Sequence, residues 1–287
     1  MASWENRSHE YYPKIGFVFQ GPVDNERAAR YLSDSLKKLT QFLDGANVVV
    51  SSWDESKKYL EEVRELAVVK TLPSPEVGNH VKQVMTTHLG ILELIDSGIT
   101  HIAKVRVDQS LDWQRILSIA PKILDVYGDE RIVFLSNNSF KYRPFGLSDM
   151  FTFGSTSAML NFWKFDESAI NELNKLNFGK KFASWHNPEK MFFTESWLNL
   201  RYALKNEFKF SDSVYKDYLR YIQKFAVILD SSDYNHRWMK LESNFQGSTE
   251  KMLFNRHNPQ LLAEWSFSDW FRILYDGHLE EEPKNLF

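Results

Sequence analysis

Ile15-Gly16-Phe17-Val18-Phe19-Gln20-Gly21-Pro22 is the stretch on which the fold turns. It is a short apolar run with no 3.6-residue alternation, broken off by a Gln-Gly-Pro turn, and so reads as a buried strand rather than an amphipathic helix. Working outward, Asn25 to Leu43 sets Ala29, Leu32, Leu36, Leu39 and Leu43 at helical spacing, and Asn47–Ser52 is a second buried strand. Ser56–Leu66 reads as a charged helix, Ala67–Lys70 as a third strand, and Asn79–Asp96 as a helix stopped at Gly98. His101–Asp108 is a fourth strand, followed by a helix over Trp113–Tyr127 and a strand over Arg131–Leu135. Strands alternating with helices at this spacing predict βαβ units and a mostly parallel sheet flanked by helices, an α/β fold.

The second half has another texture. Met150–Gly154 reads as one more strand, and helical, aromatic stretches then dominate: a helix after Pro188 running through Leu204, and another over Tyr215–Phe225 that leads into a late strand, Ala226–Asp230. The Leu261–Leu274 segment lacks the basic polar face of a membrane-surface helix, so it is expected to cap the core. No repeat or linker divides the chain, and the expectation is one domain over residues 1–287 with an elaborated C-terminal part.

Composition narrows the function. Lys plus Arg number 35 against 38 acids, and the two signs are interleaved, which argues against a nucleic-acid binder or an electrostatic membrane anchor. The absence of cysteine excludes disulfides, thiolate nucleophiles and Cys-ligated metals. No run is apolar enough for a transmembrane helix, and Met1–Lys14 holds no signal-peptide core, so a cytoplasmic protein with at most peripheral membrane contact is expected. Aromatics make 15% of the chain; a Phe-rich core accounts for them, and a sugar-stacking surface is the alternative.

The chain contains no GxGxxG, GxxxxGK[ST], GxSxG or HExxH pattern. In a parallel sheet the ligand sits beyond the carboxyl ends of the strands. That directs attention to Gln20-Gly21-Pro22, Ser52-Trp53-Asp54 and Arg106-Val107-Asp108. Strand alternation puts Arg106 and Asp108 on one side, where a guanidinium and a carboxylate suit a diphosphate, held directly by Arg106 and through a metal on Asp108. A strand end closed by a salt bridge has the same spacing.

Phe19-Gln20-Gly21-Pro22-Val23, Val49–Trp53, Asn79 with Gln83, Ala103–Asp108 and Gly146–Gly154, taken in this order and spacing, resemble the WavE-type lipopolysaccharide synthesis family from about residue 15 to about residue 205. The resemblance implies a nucleotide-sugar-dependent glycosyltransferase with a GT-A-like fold, its nucleotide-binding half at about 15–140 and its acceptor-side half at about 141–287. It implies that Gln20, Gly21 and Pro22 meet the base and ribose, and that Ser52, Trp53 and Asp54 line the same pocket. Asn79 and Gln83 lie one helical turn apart and would point at the donor; a capping Asn and a solvated Gln fit that spacing as well. Lys104 and Arg106 join the donor-binding set. Arg106-Val107-Asp108 stands where GT-A enzymes usually carry Asp-x-Asp, so arginine replaces the first acid and leaves Asp108 as the acidic ligand of a Mn²⁺ or Mg²⁺ ion. His236 is a further candidate ligand.

The base that deprotonates the acceptor is expected to be Glu195, with Asp149 as the other candidate. The implied partners are a UDP-type nucleotide sugar, galactose or galactofuranose being the preferred sugar, and a glycan or lipid-linked glycan acceptor, with transfer by inversion. The other reading is a non-catalytic sugar- or nucleotide-binding scaffold that keeps the fold.

Overall fold

Ile15–Gln20 forms β1, with all of its residues buried, because it runs through the middle of a seven-stranded sheet covered on both faces. The computed structural model describes residues 14–76, 79–165, 194–239 and 263–275, with the backbone alone at Asn79 and His80. The remaining strands of this sheet are β2 (Asn47–Trp53), β3 (Val68–Leu72), β4 (His101–Arg106), β6 (Ile132–Leu135), β7 (Phe151–Ser155) and β8 (Ala226–Leu229). A short second sheet pairs β5 (Gln109–Ser110) with β9 (Arg237–Trp238).

The strand order is β3-β2-β1-β4-β7-β6-β8. β1 pairs in parallel with both β2 and β4, β2 with β3, and β6 with β8, while β7 runs antiparallel between β4 and β6. The mostly parallel, helix-flanked α/β sheet expected from the sequence is present. Helices α1 (Glu26–Phe42) and α3 (Trp113–Tyr127) pack on each other, and α2 (Asn79–Ile95), α4 (Thr156–Trp163) and α5 (Thr194–Lys205) form another packed group. α6 (Val214–Phe225) leads into β8, and α7 (Phe267–Tyr275) closes the described chain.

Local chemistry sets these boundaries. Asn25 caps α1, its Oδ1 accepting from the Ala28 amide at 2.9 Å, and Asp112 caps α3 in the same way through the Arg115 amide at 3.1 Å. α2 lies tight on β1 because Gly90 faces the sheet; a Cβ there would come within 2.6 Å of Val18 Cγ1. The stretch read as a helix over Ser56–Leu66 is two 3₁₀ turns, Asp54–Tyr59 and Glu62–Glu65. Its charged residues leave too few apolar positions to bury a full helix face. β4 ends at Arg106, two residues before its expected limit, as the chain turns into β5. The helices expected after Pro188 and from Leu261 are described from Thr194 and Phe267 onward; Pro188 and Leu261 lie outside the described residues.

The aromatic excess goes into the core. Phe145 meets Tyr218 and Tyr221 at 5.4 and 5.3 Å, Phe162 meets Trp163 and Tyr202, and Trp113 sits edge-on to Phe17 at 5.3 Å. Three buried phenols find carbonyl partners: Tyr202 donates to the Glu130 carbonyl, Tyr218 to the Phe140 carbonyl and Tyr221 to Asn199 Oδ1.

Candidate functional site

β1 is where the strand order reverses, with β2 and β3 to one side and β4 to the other. In such sheets the crevice opens outside the carboxyl ends of the strands at the reversal. Gln20 and Arg106 are register partners at that end. β7 runs the other way, so its beginning reaches the same edge: Phe151 is opposite Val105, and Asp149 lies just before it. Strand polarity thereby brings residues far apart in sequence to one rim.

At the β1 end, Gly21 takes a φ of 135°, a left-handed conformation that side-chain-bearing residues rarely adopt, and the Val107 side chain sits 3.2 Å from where a Cβ would be. Ser52 is buried and its hydroxyl donates to the Gly21 carbonyl at 2.7 Å, so it shapes the turn. Pro22 is exposed beyond it. Gln20 is buried; its Nε2 donates to Thr86 Oγ1 at 3.0 Å, while its Oε1 has no partner among the described residues. Gln83 Oε1, on the facing helix α2, is likewise buried and without a described partner. Two amide oxygens that lack donors are what a ligand offering N–H or O–H groups would satisfy. Trp53 is largely buried, with the Lys82 ammonium 5.9 Å from its ring. Asp54 pairs with Lys57 at 2.9 Å, which helps hold its carboxyl below the ordinary value. The backbone of Asn79 opens α2, and its side chain lies outside the described residues.

At the β4 end, Arg106 grips Asp108 in a fork, Nε to Oδ1 at 3.0 Å and Nη2 to Oδ2 at 3.2 Å. Trp238 from β9 adds its indole N–H to Asp108 Oδ2 at 3.0 Å. Burial disfavours the guanidinium's charge, but Asp108, with Asp149 and Glu195 behind it, outweighs that and raises the Arg106 pKa above its ordinary value. His236 is close enough to feel the Asp108 charge, yet burial dominates and lowers its imidazole to about 4, so it is neutral at physiological pH. Its Nδ1 lies 3.2 Å from Asn137 Nδ2, and its Nε2 has no partner among the described residues. No group of three or more His, Asp or Glu side chains that could hold a metal occurs among the described residues.

A second corner faces the first. Glu195, in the first turn of α5, is half-buried, and burial together with the Asp149 charge raises its carboxyl to about 7, against the opposing pull of Arg143 and Arg106. Asp149 is buried, and its Oδ2 has no partner among the described residues. Asn199 clasps the turn beneath Glu195, its Nδ2 reaching the Leu147 carbonyl at 3.1 Å and the Glu195 carbonyl at 2.8 Å. Lys104, expected among the ligand-binding residues, is fully enclosed: its ammonium donates to the Asp149 carbonyl and lies 4.7 Å from the Trp163 ring centroid. Burial lowers it to about 8. As placed, it supports Asp149 from within the sheet and does not reach the rim.

The structure thus gathers Gln20, Arg106, Asp108, Asp149, Glu195 and His236 at one edge, and turns Ser52 and Lys104 inward. Sequence reasoning missed Trp238, Asn199 and Arg143. Trp238 and Asn199 are tied to the site by contacts across 130 and 52 residues that no local pattern announces.

A family model for WavE lipopolysaccharide synthesis matches residues 15–216, which spans β1 to the start of α6 and so includes both corners. The chain belongs to the WavE lipopolysaccharide synthesis family. No curated protein matches this WavE-family sequence. Among solved structures, a mannose-1-phosphate geranyltransferase from Thermus thermophilus is similar at a TM-score of 0.42 and 9% identity, over 81% of this chain and 79% of that one. That likeness is too slight to carry a functional argument. No helix among the described residues is long and apolar enough to cross a membrane.

Proposed function

We propose that this WavE-family chain is a glycosyltransferase that moves a sugar from a nucleotide diphosphate to a hydroxyl of a lipopolysaccharide or other cell-surface glycan acceptor. The observation that carries the reading is the meeting, at one strand-end rim, of a guanidinium corner and a carboxyl raised to about 7. One suits a leaving diphosphate and the other a base working near neutral pH.

In this reading Gln20 and Gln83 offer to the donor's base or ribose the oxygens that have no partner among the described residues, and the Gly21 turn lets the ligand approach the backbone closely. Arg106 faces the diphosphate. Glu195 takes the proton from the acceptor hydroxyl as its oxygen bonds to the anomeric carbon. The bond from that carbon to the diphosphate oxygen breaks on the opposite face, the electron pair leaves with the diphosphate, and the configuration inverts. Asp149 keeps Glu195 basic enough and orients the acceptor. A Mn²⁺ or Mg²⁺ ion held by Asp108 and by the neutral His236, whose Nε2 lacks a described partner, would have to draw Asp108 away from the Arg106 fork, and would then neutralise charge on the diphosphate. We take the donor to be UDP-linked galactose or galactofuranose and the setting to be the cytoplasm, at most peripheral to the membrane.

The test is thermal shift against UDP, GDP, CDP and TDP with and without Mn²⁺, followed by hydrolysis of the matching nucleotide sugar. One nucleotide should raise the melting temperature, and its sugar conjugate should be slowly cleaved. Stabilisation with no cleavage or transfer would leave a binding scaffold instead. No shift with any nucleotide would sink the reading.

A further inference from the structure

Beside the Arg106–Asp108 corner the surface sinks into a polar cavity of about 290 Å³ lined by Asn137, Ser231, Ser232, Asn235, His236 and Arg237. Its floor is two parallel strand ends laced by hydroxyls. Ser136 Oγ accepts from the Ser231 amide at 3.0 Å, and Ser231 Oγ accepts from the Asn137 amide at 2.6 Å. These bonds tie the ends of β6 and β8 together through hydroxyls and amides beyond the buried Leu135 and Leu229, so the floor is polar. Its wall is the turn after the 3₁₀ segment Ser231–Tyr234, where Asn235 adopts a φ of 46° and swings the chain back. Arg237 then pairs with Ser110 in the β5–β9 ladder, which fixes the backbone from which its guanidinium extends.

The lining chemistry is specific in kind. Hydroxyls and amides both donate and accept, which matches the vicinal hydroxyls of a sugar. No lining side chain is a large apolar plate, so a flat nucleobase is not suited. Arg237 is exposed and forms no ion pair among the described residues, and a guanidinium in a polar cavity selects a carboxylate or a phosphate. The size sits at the small end of ligand cavities, enough for one sugar unit and not for a nucleotide sugar. Trp238, the residue after Arg237, donates to Asp108, so this cavity and the guanidinium corner share a wall.

We propose that the cavity is a subsite for an anionic sugar unit, one bearing a carboxylate or phosphate that Arg237 holds. That this sugar belongs to the acceptor rests on the glycosyl-transfer reading; that the cavity binds it does not.

Saturation-transfer NMR on the full chain tests it, with glucuronate, glucose 6-phosphate and glucose as probes and UDP as competitor. At least one of the two acids should bind ten-fold or more tighter than glucose, and comparison of the two says which anion is meant. Arg237→Gln should remove that preference, and saturating UDP should leave the bound acid in place. Ser232→Trp, which fills the cavity and spares the guanidinium, should abolish binding of the acid. Equal binding of all three sugars, unchanged binding in either variant, or displacement by UDP would overturn the proposal. If UDP binds and neither acid does, the subsite falls and the transferase reading stands; if an acid binds and no nucleotide does, the reverse holds.

Discussion

Two corners of one rim treat their carboxylates in opposite ways. Asp108 is answered on both oxygens, by the Arg106 fork and the Trp238 indole. Glu195 is set instead beside another acid, Asp149, and its carboxyl rises to about 7. The first arrangement neutralises charge and holds geometry. The second keeps a proton equilibrium poised near neutral pH, as a base must, at a cost in stability. The contrast teaches that one strand-end rim can hold two carboxylates in opposite states, distinguished by which charge stands opposite each; on the proposed reading the first is the binding corner and the second the reacting one.

The sharpest way to break this comparison is Glu195→Gln. Transfer should fall by about 10²–10⁴-fold, the usual worth of a general base, while nucleotide binding in thermal shift stays as in the wild type. Comparable turnover in the variant would move the base elsewhere. Next in size is Arg106→Ala, which leaves the Asp108 carboxylate largely buried without its cation; chemical denaturation should show a loss of about 3 kcal/mol, together with loss of nucleotide binding. If stability held and only binding fell, the fork would be dispensable to the fold.

Smaller effects concern pH. On the proposed reading, in which Glu195 takes the proton as a carboxylate, activity should rise with pH through about 7. Asp149→Asn removes a charge that raises it, so the limb of the pH–rate profile should move to lower pH. An unmoved limb would mean that burial alone sets the value. The same shift has a stability sign: a carboxyl raised from 4.5 to about 7 favours folding fully below the unfolded value, and that contribution is lost as pH rises through 7. Glu195→Gln should therefore melt higher than wild type at pH 8 and similarly to it at pH 4. The smallest change is Trp238→Phe, which removes one bond to Asp108 and should lower stability by about 1 kcal/mol in urea titration.

Much of the fold was legible in the sequence. The buried runs at Ile15–Phe19, Val48–Val50 and Ile102–Val105 carry the parallel order, because strands covered on both faces have no choice but continuous apolarity. Arg106 and Asp108 were legible as a facing pair, although the strand stops at Arg106 and the turn after it, not strand alternation, brings the carboxylate round. What stayed hidden depends on contacts distant in sequence. Nothing near Lys104 says that its ammonium meets the Asp149 carbonyl 45 residues on, which removes it from the rim. Glu195 and Asp149 read as two alternative bases; only the antiparallel entry of β7 and the docking of α5 make them neighbours whose charges act on each other.

β7 has one more consequence. β6 ends at the rim and β7 starts there, so residues 136–150 leave and re-enter the sheet at the same edge without crossing the core. That segment is a bracket held from several sides: Phe145 and Leu147 are buried, Tyr218 donates to the Phe140 carbonyl, Ser196 to the Pro144 carbonyl and Asn199 to the Leu147 carbonyl, with Asp149 at one foot and Asn137 at the other. One loop thereby fixes Asp149 beside Glu195 and Asn137 in the polar cavity, so a substitution that loosens it should disturb both places at once.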